Sequence, residues 1–160
     1  MPVHRLIFLD IDGVLNSHVY LYTGESKRHT ADREFEGNEH YMLDPEAMVR
    51  LNRVIETTGA KVVLSSSWRH GPWSLDRLRE IFKTGGFVGE IIDVTPTDPH
   101  AHRGNEIAQW LDEHPGVTKF IAIDDSMQDF DNIPERLVHT SFYRGLQDEH
   151  VEEAIQKLLG

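Results

Sequence analysis

Three short apolar runs, each ending on a polar or acidic residue, constrain the fold of this chain more than any other feature. They are Arg5-Leu6-Ile7-Phe8-Leu9-Asp10, Lys61-Val62-Val63-Leu64-Ser65 and Lys119-Phe120-Ile121-Ala122-Ile123-Asp124. A strand with one wet face alternates apolar and polar residues. These runs do not alternate, so both of their faces need cover, as in a parallel sheet flanked by helices. Helical patterns lie between them. Asp44-Pro45 opens one that carries Met48, Leu51 and Ile55 and stops at Gly59. A second starts near Ser74, with Leu75, Leu78, Ile81 and Phe82 on one side and Gly85-Gly86 as its end. Glu90 to Val94 reads as a shorter strand, and Arg103 to His114 as a helix presenting Ile107, Trp110 and Leu111. Arg136 to Thr140 reads as a last strand, and Asp148 as the cap of a last helix bearing Val151, Ile155 and Leu158.

This alternation predicts an α/β fold, a doubly wound, Rossmann-like parallel sheet with helices on both faces. The 160 residues suit a single domain, 1–160. One stretch, 16–43, breaks the pattern. It is polar and turn-rich, yet holds Tyr20, Tyr22, Phe35 and Tyr41, and a loop of that length after the first strand reads as a small cap or lid insertion.

Composition narrows the chemistry. With 27 acidic against 16 basic residues the formal net charge is -11, which opposes non-specific binding to nucleic acid or anionic membrane. No apolar stretch approaches the roughly 20 residues that span a bilayer, and no signal-peptide core follows Met1-Pro2-Val3. The expectation is a cytoplasmic protein with no membrane and no obligate protein partner. The chain has no cysteine, which leaves oxygen and imidazole as metal ligands. Its ten histidines include His100-Ala101-His102 but no helical His-x-x-x-His, and they read as surface or substrate-loop residues rather than a zinc site.

In doubly wound sheets ligands bind beyond the carboxyl ends of the strands. Asp10, Ser65 and Asp124-Asp125 fall there. Asp10 and Asp12 are two residues apart, so on an extended strand their carboxylates share one face, roughly 6.6 Å apart. The competing reading is a hairpin turn at Asp12-Gly13 with Val14-Leu15 as the returning strand. Asp124, Asp125 and Asp129 suit a hard cation such as Mg²⁺, or else cap a helix. Ser65, Ser66 and Ser67 offer hydroxyls and amides to a phosphoryl group, or form a plain turn. Arg103 and Arg69 are candidate phosphate contacts, or surface arginines. Trp68 and Trp73 read as packing residues in or near the cleft.

The order of these features resembles the haloacid dehalogenase (HAD) superfamily of phosphohydrolases, whose first motif is a hydrophobic strand followed by Asp-x-Asp-Gly-x-Val/Leu, matched by Asp10-Ile11-Asp12-Gly13-Val14-Leu15. Ser66-Ser67-Trp68-Arg69, Arg103-Gly104-Asn105-Glu106-Ile107 and Gly145-Leu146 are similar to the HAD-type domains of some bacterial RNA-repair proteins. The resemblance implies a Mg²⁺-dependent phosphatase that hydrolyses phosphomonoesters through an aspartyl-phosphate. In it Asp10 is the nucleophile and Asp12 the general acid and base. Ser65, with Ser66 as alternative, and Arg103 bind the phosphoryl group, with Arg69 as an additional contact. Asp10, Asp12 and Asp125 hold the metal with Asp124 or Asp129 beside them, Asp125 being favoured because Asp125-x-x-x-Asp129 matches the family spacing. The implied substrate is a phosphorylated small molecule or an oligonucleotide end, which leaves a polynucleotide 3'-phosphatase as the alternative. A phosphoacceptor or non-catalytic binding module is the further alternative.

Overall fold

A computed structural model describes residues 5–23 and 37–160 of the chain. The apolar runs form β1 (Arg5–Leu9), β2 (Lys61–Leu64) and β4 (Lys119–Asp124), joined by β3 (Ile91–Val94) and β5 (Leu137–His139). All pair in parallel, in the order β3-β2-β1-β4-β5. The chain builds outward from β1 to β3, then crosses back to lay β4 on the other side of β1. That reversal leaves a crevice at the carboxyl ends of β1 and β4.

The side chains alternate between two cores. Ile7, Leu9, Val62, Leu64, Ile121, Ile123 and Val138 face one, which is covered by α2 (Pro45–Thr58), α3 (Leu75–Thr84) and α5 (Asp148–Leu159). Leu6, Phe8, Val63, Ala122 and Leu137 face the other, under Ile107 and Trp110 of α4 (Arg103–Glu113) and Phe130. The central strand is therefore sealed on both sides, as its unbroken apolar run requires, with Leu6 to Leu9 fully buried.

Helix punctuation follows local chemistry. Asp44 accepts a hydrogen bond from the Glu46 amide (2.9 Å) ahead of Pro45, and Ser74 accepts one from the Arg77 amide (3.1 Å). The last helix differs from expectation by one residue. Its cap is Gln147, in a reciprocal box with His150, because Asp148 already sits in the first turn and reaches across to Arg50.

The hairpin reading of Asp12-Gly13 is overturned. Val14 and Leu15 return no strand. Their amides bond back to the Ile11 carbonyl at 3.1 and 2.8 Å, which closes a tight turn. Of the stretch 16–43, the described parts are a short helix α1 (His18–Thr23) and a 3₁₀ turn (Glu39–Met42). The middle of the cap or lid assigned from the sequence lies outside the described residues.

Candidate active site

The sheet ladder runs one residue past the strands and sets three candidate residues in a row. The Asp10 amide bonds to Ile123 O and the Ser65 amide to Leu9 O, both at 3.0 Å, and the Thr140 amide to Asp124 O at 3.0 Å. Since Leu9 pairs with Ile123, the next residues, Asp10 and Asp124, are neighbours on adjacent strands although 114 positions separate them in the chain.

The three carboxylates of Asp10, Asp124 and Asp125 converge, with an oxygen of each within 4.8 Å of the others. Arg103 is the cation among them, its Nη1 3.1 Å from Asp10 and 2.7 Å from Asp124. It comes from the first turn of α4, and its neighbour Gly104 is what lets that turn approach. A Cβ on Gly104 would stand 2.0 Å from Asn132 Oδ1 and 2.9 Å from the Asp129 carbonyl. Gly13 plays the same part on the other side. Its φ of +82° is a left-handed conformation, and a Cβ there would lie 2.3 Å from Asp125 Oδ2.

Three acids gathered around one guanidinium leave an excess of negative charge. Burial, then the Asp124 carboxylate, pushes the Asp10 carboxyl from 3.8 up to about 8, against the pull of Arg103. Burial and Asp124 push Asp125 up as well. Both acids sustain Arg103 in its charged form against desolvation. A set of hard oxygen ligands, two of them buried, with unbalanced charge fits a divalent cation, and Mg²⁺ is of the kind that takes carboxylates from few residues and keeps water in its remaining positions. The residues that would hold it are Asp10, Asp124 and Asp125.

Asp12 and Asp129 are not brought to that cluster. The strand ends at Leu9, so Asp12 lies in the turn that follows rather than on an extended segment with Asp10. Asp12 Oδ1 accepts from Asn16 Nδ2 at 2.9 Å, and the Trp68 indole Nε1 stands 3.3 and 3.2 Å from its two oxygens. The Asp129 carboxylate is engaged by Ser126 Oγ (2.9 Å) and His102 Nδ1 (3.0 Å) instead of joining the acidic group. Asp125, which the spacing to Asp129 favoured, joins the cluster, while Asp129 itself is spent on the turn after β4.

The serines divide by partner. Ser66 Oγ accepts from the Trp68 amide (3.1 Å) and caps the 3₁₀ turn Ser67–His70. Ser65 Oγ is fully enclosed and bonded to nothing, which leaves a donor available at the end of β2. Arg69 is buried rather than exposed. Its Nη1 donates to the carbonyls of Ser65 (2.7 Å) and Ser66 (2.8 Å), and its Nη2 to Glu106 (2.8 Å). Burial lowers its pKa while Glu106 opposes that. Glu106 also accepts from the Asp98 amide (3.0 Å), so one carboxylate ties the serine turn, the loop after β3 and the helix that carries Arg103.

Glu106, Asn16 and the indole N–H of Trp68 are the site residues that sequence reasoning missed. Glu106 left a trace, standing three residues after Arg103 on the helix side that bears Ile107 and Trp110, where a lone acid needs a buried partner. Asn16 left none, because its role depends on the turn at Gly13.

Among the described residues no helix is long and apolar enough to cross a membrane. No curated protein and no solved structure matches the chain. A family model does, that of the HAD domain in Swiss Army Knife RNA repair proteins, over residues 6–151. The parallel sheet, the strand-end acids and a match across nearly the whole length agree, and the chain belongs to that HAD domain family.

Proposed function

We propose that the protein is a Mg²⁺-dependent phosphatase that cleaves phosphomonoesters through an aspartyl-phosphate on Asp10. The observation that carries this is Asp10 itself, fixed at the end of β1 between Arg103 and the carboxylates of Asp124 and Asp125. A carboxylate and a phosphate ester repel one another, so the attack needs positive charge beside both. Mg²⁺, when held by the three acids, supplies that charge and keeps Asp10 ionised. Arg103 supplies the rest.

In the first step an Asp10 oxygen forms a bond to phosphorus and the bond from phosphorus to the leaving oxygen breaks. Asp12 gives that oxygen its proton. In the second, water attacks the acyl phosphate, Asp12 takes a proton from the water, and inorganic phosphate leaves with Asp10 restored. The Ser65 hydroxyl, buried and unbonded, is suited to a phosphoryl oxygen, whereas Arg69 serves by holding the serine turn. A long-lived phosphoacceptor is disfavoured, since Asp12, two residues after the nucleophile, offers a base for the second step.

A second reading, a phosphatase of polynucleotide ends, has its own support. The family is described by RNA repair. A cleft of about 400 Å³ also leads from Asp125 to Phe142 and Arg144. Phe142 and Tyr143 are half-exposed, as base-stacking residues are, and Tyr143 lies against His18 with ring centroids 5.5 Å apart. The net charge of -11 weighs against long strands and leaves short ends as the class.

The test is phosphate release from nucleotides, sugar phosphates, p-nitrophenyl phosphate and 3'-phosphorylated oligonucleotides, with Mg²⁺ and with EDTA. Release that EDTA abolishes and Mg²⁺ restores is expected. Phosphate release from no member of this panel overturns the proposal, and preference for the oligonucleotide selects the second reading.

A further inference from the structure

Asp12 has two proton transfers to perform in phosphoryl transfer, and both depend on what aims its carboxyl. A carboxyl group on a turn has free rotation about two bonds, and proton transfer to a leaving oxygen requires hydrogen-bond reach in a defined direction. Two donors from different parts of the chain close on it. Asn16 is itself locked, since its Oδ1 accepts from the Gly13 amide (3.1 Å) while its Nδ2 donates to Asp12 Oδ1 (2.9 Å). Trp68 approaches from the far side, across the end of β2, with its indole N–H shared between both Asp12 oxygens.

Packing alone does not account for that indole. Trp68 is 6 % exposed, its ring lies against Trp73 with centroids 4.9 Å apart, and its backbone is pinned by the Ser66 cap. Apolar packing uses only the carbons of the ring, and a buried indole N–H requires a partner. The partner here is the acid the reaction needs. An indole N–H is a donor only and does not titrate at working pH, so it can hold the carboxylate without competing for the proton. Asn16 adds a second donor at Oδ1, which leaves Oδ2 the less encumbered oxygen for the proton in transit.

Resting on the phosphatase reading, we infer that Trp68 is a positioning residue for Asp12, holding its carboxyl toward the leaving oxygen through the Nε1–H. A role of this kind has a signature that a merely structural one lacks. An ester whose leaving group departs as a stable anion needs no proton, so a misaimed Asp12 matters little to its first step. An alkyl ester needs the proton in full.

The experiment compares Trp68→Phe with wild type in single-turnover formation of the phospho-enzyme, for p-nitrophenyl phosphate and for an alkyl phosphate such as glycerol phosphate. The expected result is a loss of roughly 10- to 100-fold for the alkyl ester and of less than about threefold for the aryl ester. In an Asp12→Asn background the same substitution is expected to cost less than about twofold. Trp73→Phe, which weakens the ring pair and leaves the N–H in place, should change neither ester. Equal losses on both esters, or an undiminished loss in the Asp12→Asn background, overturn the inference. Should Trp68→Phe fail to fold, the Trp68 indole proton resonance decides in the parent protein: it should shift upfield in Asp12→Asn, and an unmoved resonance overturns the inference. A wild-type protein inactive on every ester would instead sink the phosphatase reading, an outcome visible before any variant is made.

Discussion

Replacing Asp10 with Asn should abolish turnover and, in the absence of a divalent cation, make the fold more stable. The amide keeps the shape of the carboxyl and cannot carry its charge. In the native chain that carboxyl is 2 % exposed, and burial with the Asp124 carboxylate raises it from 3.8 to about 8. A group whose folded value lies above its unfolded one contributes its full stability below the unfolded value, here near pH 4, and loses it as pH rises toward 8. Over pH 5 to 7.5 the loss works out at on the order of 3 kcal/mol in the metal-free protein, and Asp10→Asn escapes it. For a chain of this length each kcal/mol moves the midpoint by about 2–4 °C, so the variant should gain about 6–12 °C on wild type as pH is raised across that range in EDTA. Urea or thermal unfolding at the two pH values reads this directly. Saturating Mg²⁺ should reverse the ranking, because wild type keeps the third carboxylate for the cation and gains the linked binding energy. An Asp10→Asn protein less stable than wild type in EDTA at pH 7.5, with a gap that does not change with pH, would refute the picture of an overcharged acidic centre.

Gly13→Ala combines a left-handed backbone with a Cβ 2.3 Å from Asp125, so it should cost about 1–3 kcal/mol and weaken Mg²⁺ binding. Thermal melts with a Mg²⁺ titration check both, and an added Asp125→Ala should return part of the stability by making room. Glu106→Gln removes the ion-pair partner of the buried Arg69 side chain, and breaking such a pair costs about 3–5 kcal/mol. Denaturant unfolding with a loss below about 0.5 kcal/mol would show that Arg69 does not depend on it.

The sheet was legible in the sequence because its cause is local. Three or four consecutive apolar residues need cover on both faces, whichever neighbours provide it, and the runs at Leu6, Val62 and Phe120 became β1, β2 and β4. The carboxyl-end location of Asp10, Ser65 and Asp124 followed from the same pattern. What the sequence hid depends on contacts between segments far apart. Asp10 and Asp12 looked like a pair on one strand face, but Gly13 turns the chain and sends them to different partners, Arg103 for one and Trp68 with Asn16 for the other. Arg69 looked like a phosphate contact on residue type alone, and only the packing of α4 against the serine turn reveals Glu106 as its partner.

Why the charge of the site gathers at this point follows from the winding of the sheet. The chain lays β1, β2 and β3 in one direction and then returns, so β4 lands beside β1, and the crossover that brings it there is the segment carrying α4. The reversal delivers two things together, an acid at the end of β4 next to the acid of β1, and the amino end of the crossover helix above them. That helix end bears Arg103, whose guanidinium meets both acids, and it packs closely because Gly104 has no side chain to hold it away. The helix dipole adds positive character at the same end. One topological event thus supplies the acid pair and its cation, and the turn after β4 adds Asp125, whose charge Arg103 alone does not balance. A site so built is complete as a carrier of negative charge and deficient in positive charge. In the proposed phosphatase a divalent cation together with the phosphoryl group of a substrate is the combination that would meet the excess, the free Ser65 hydroxyl and Arg103 at once.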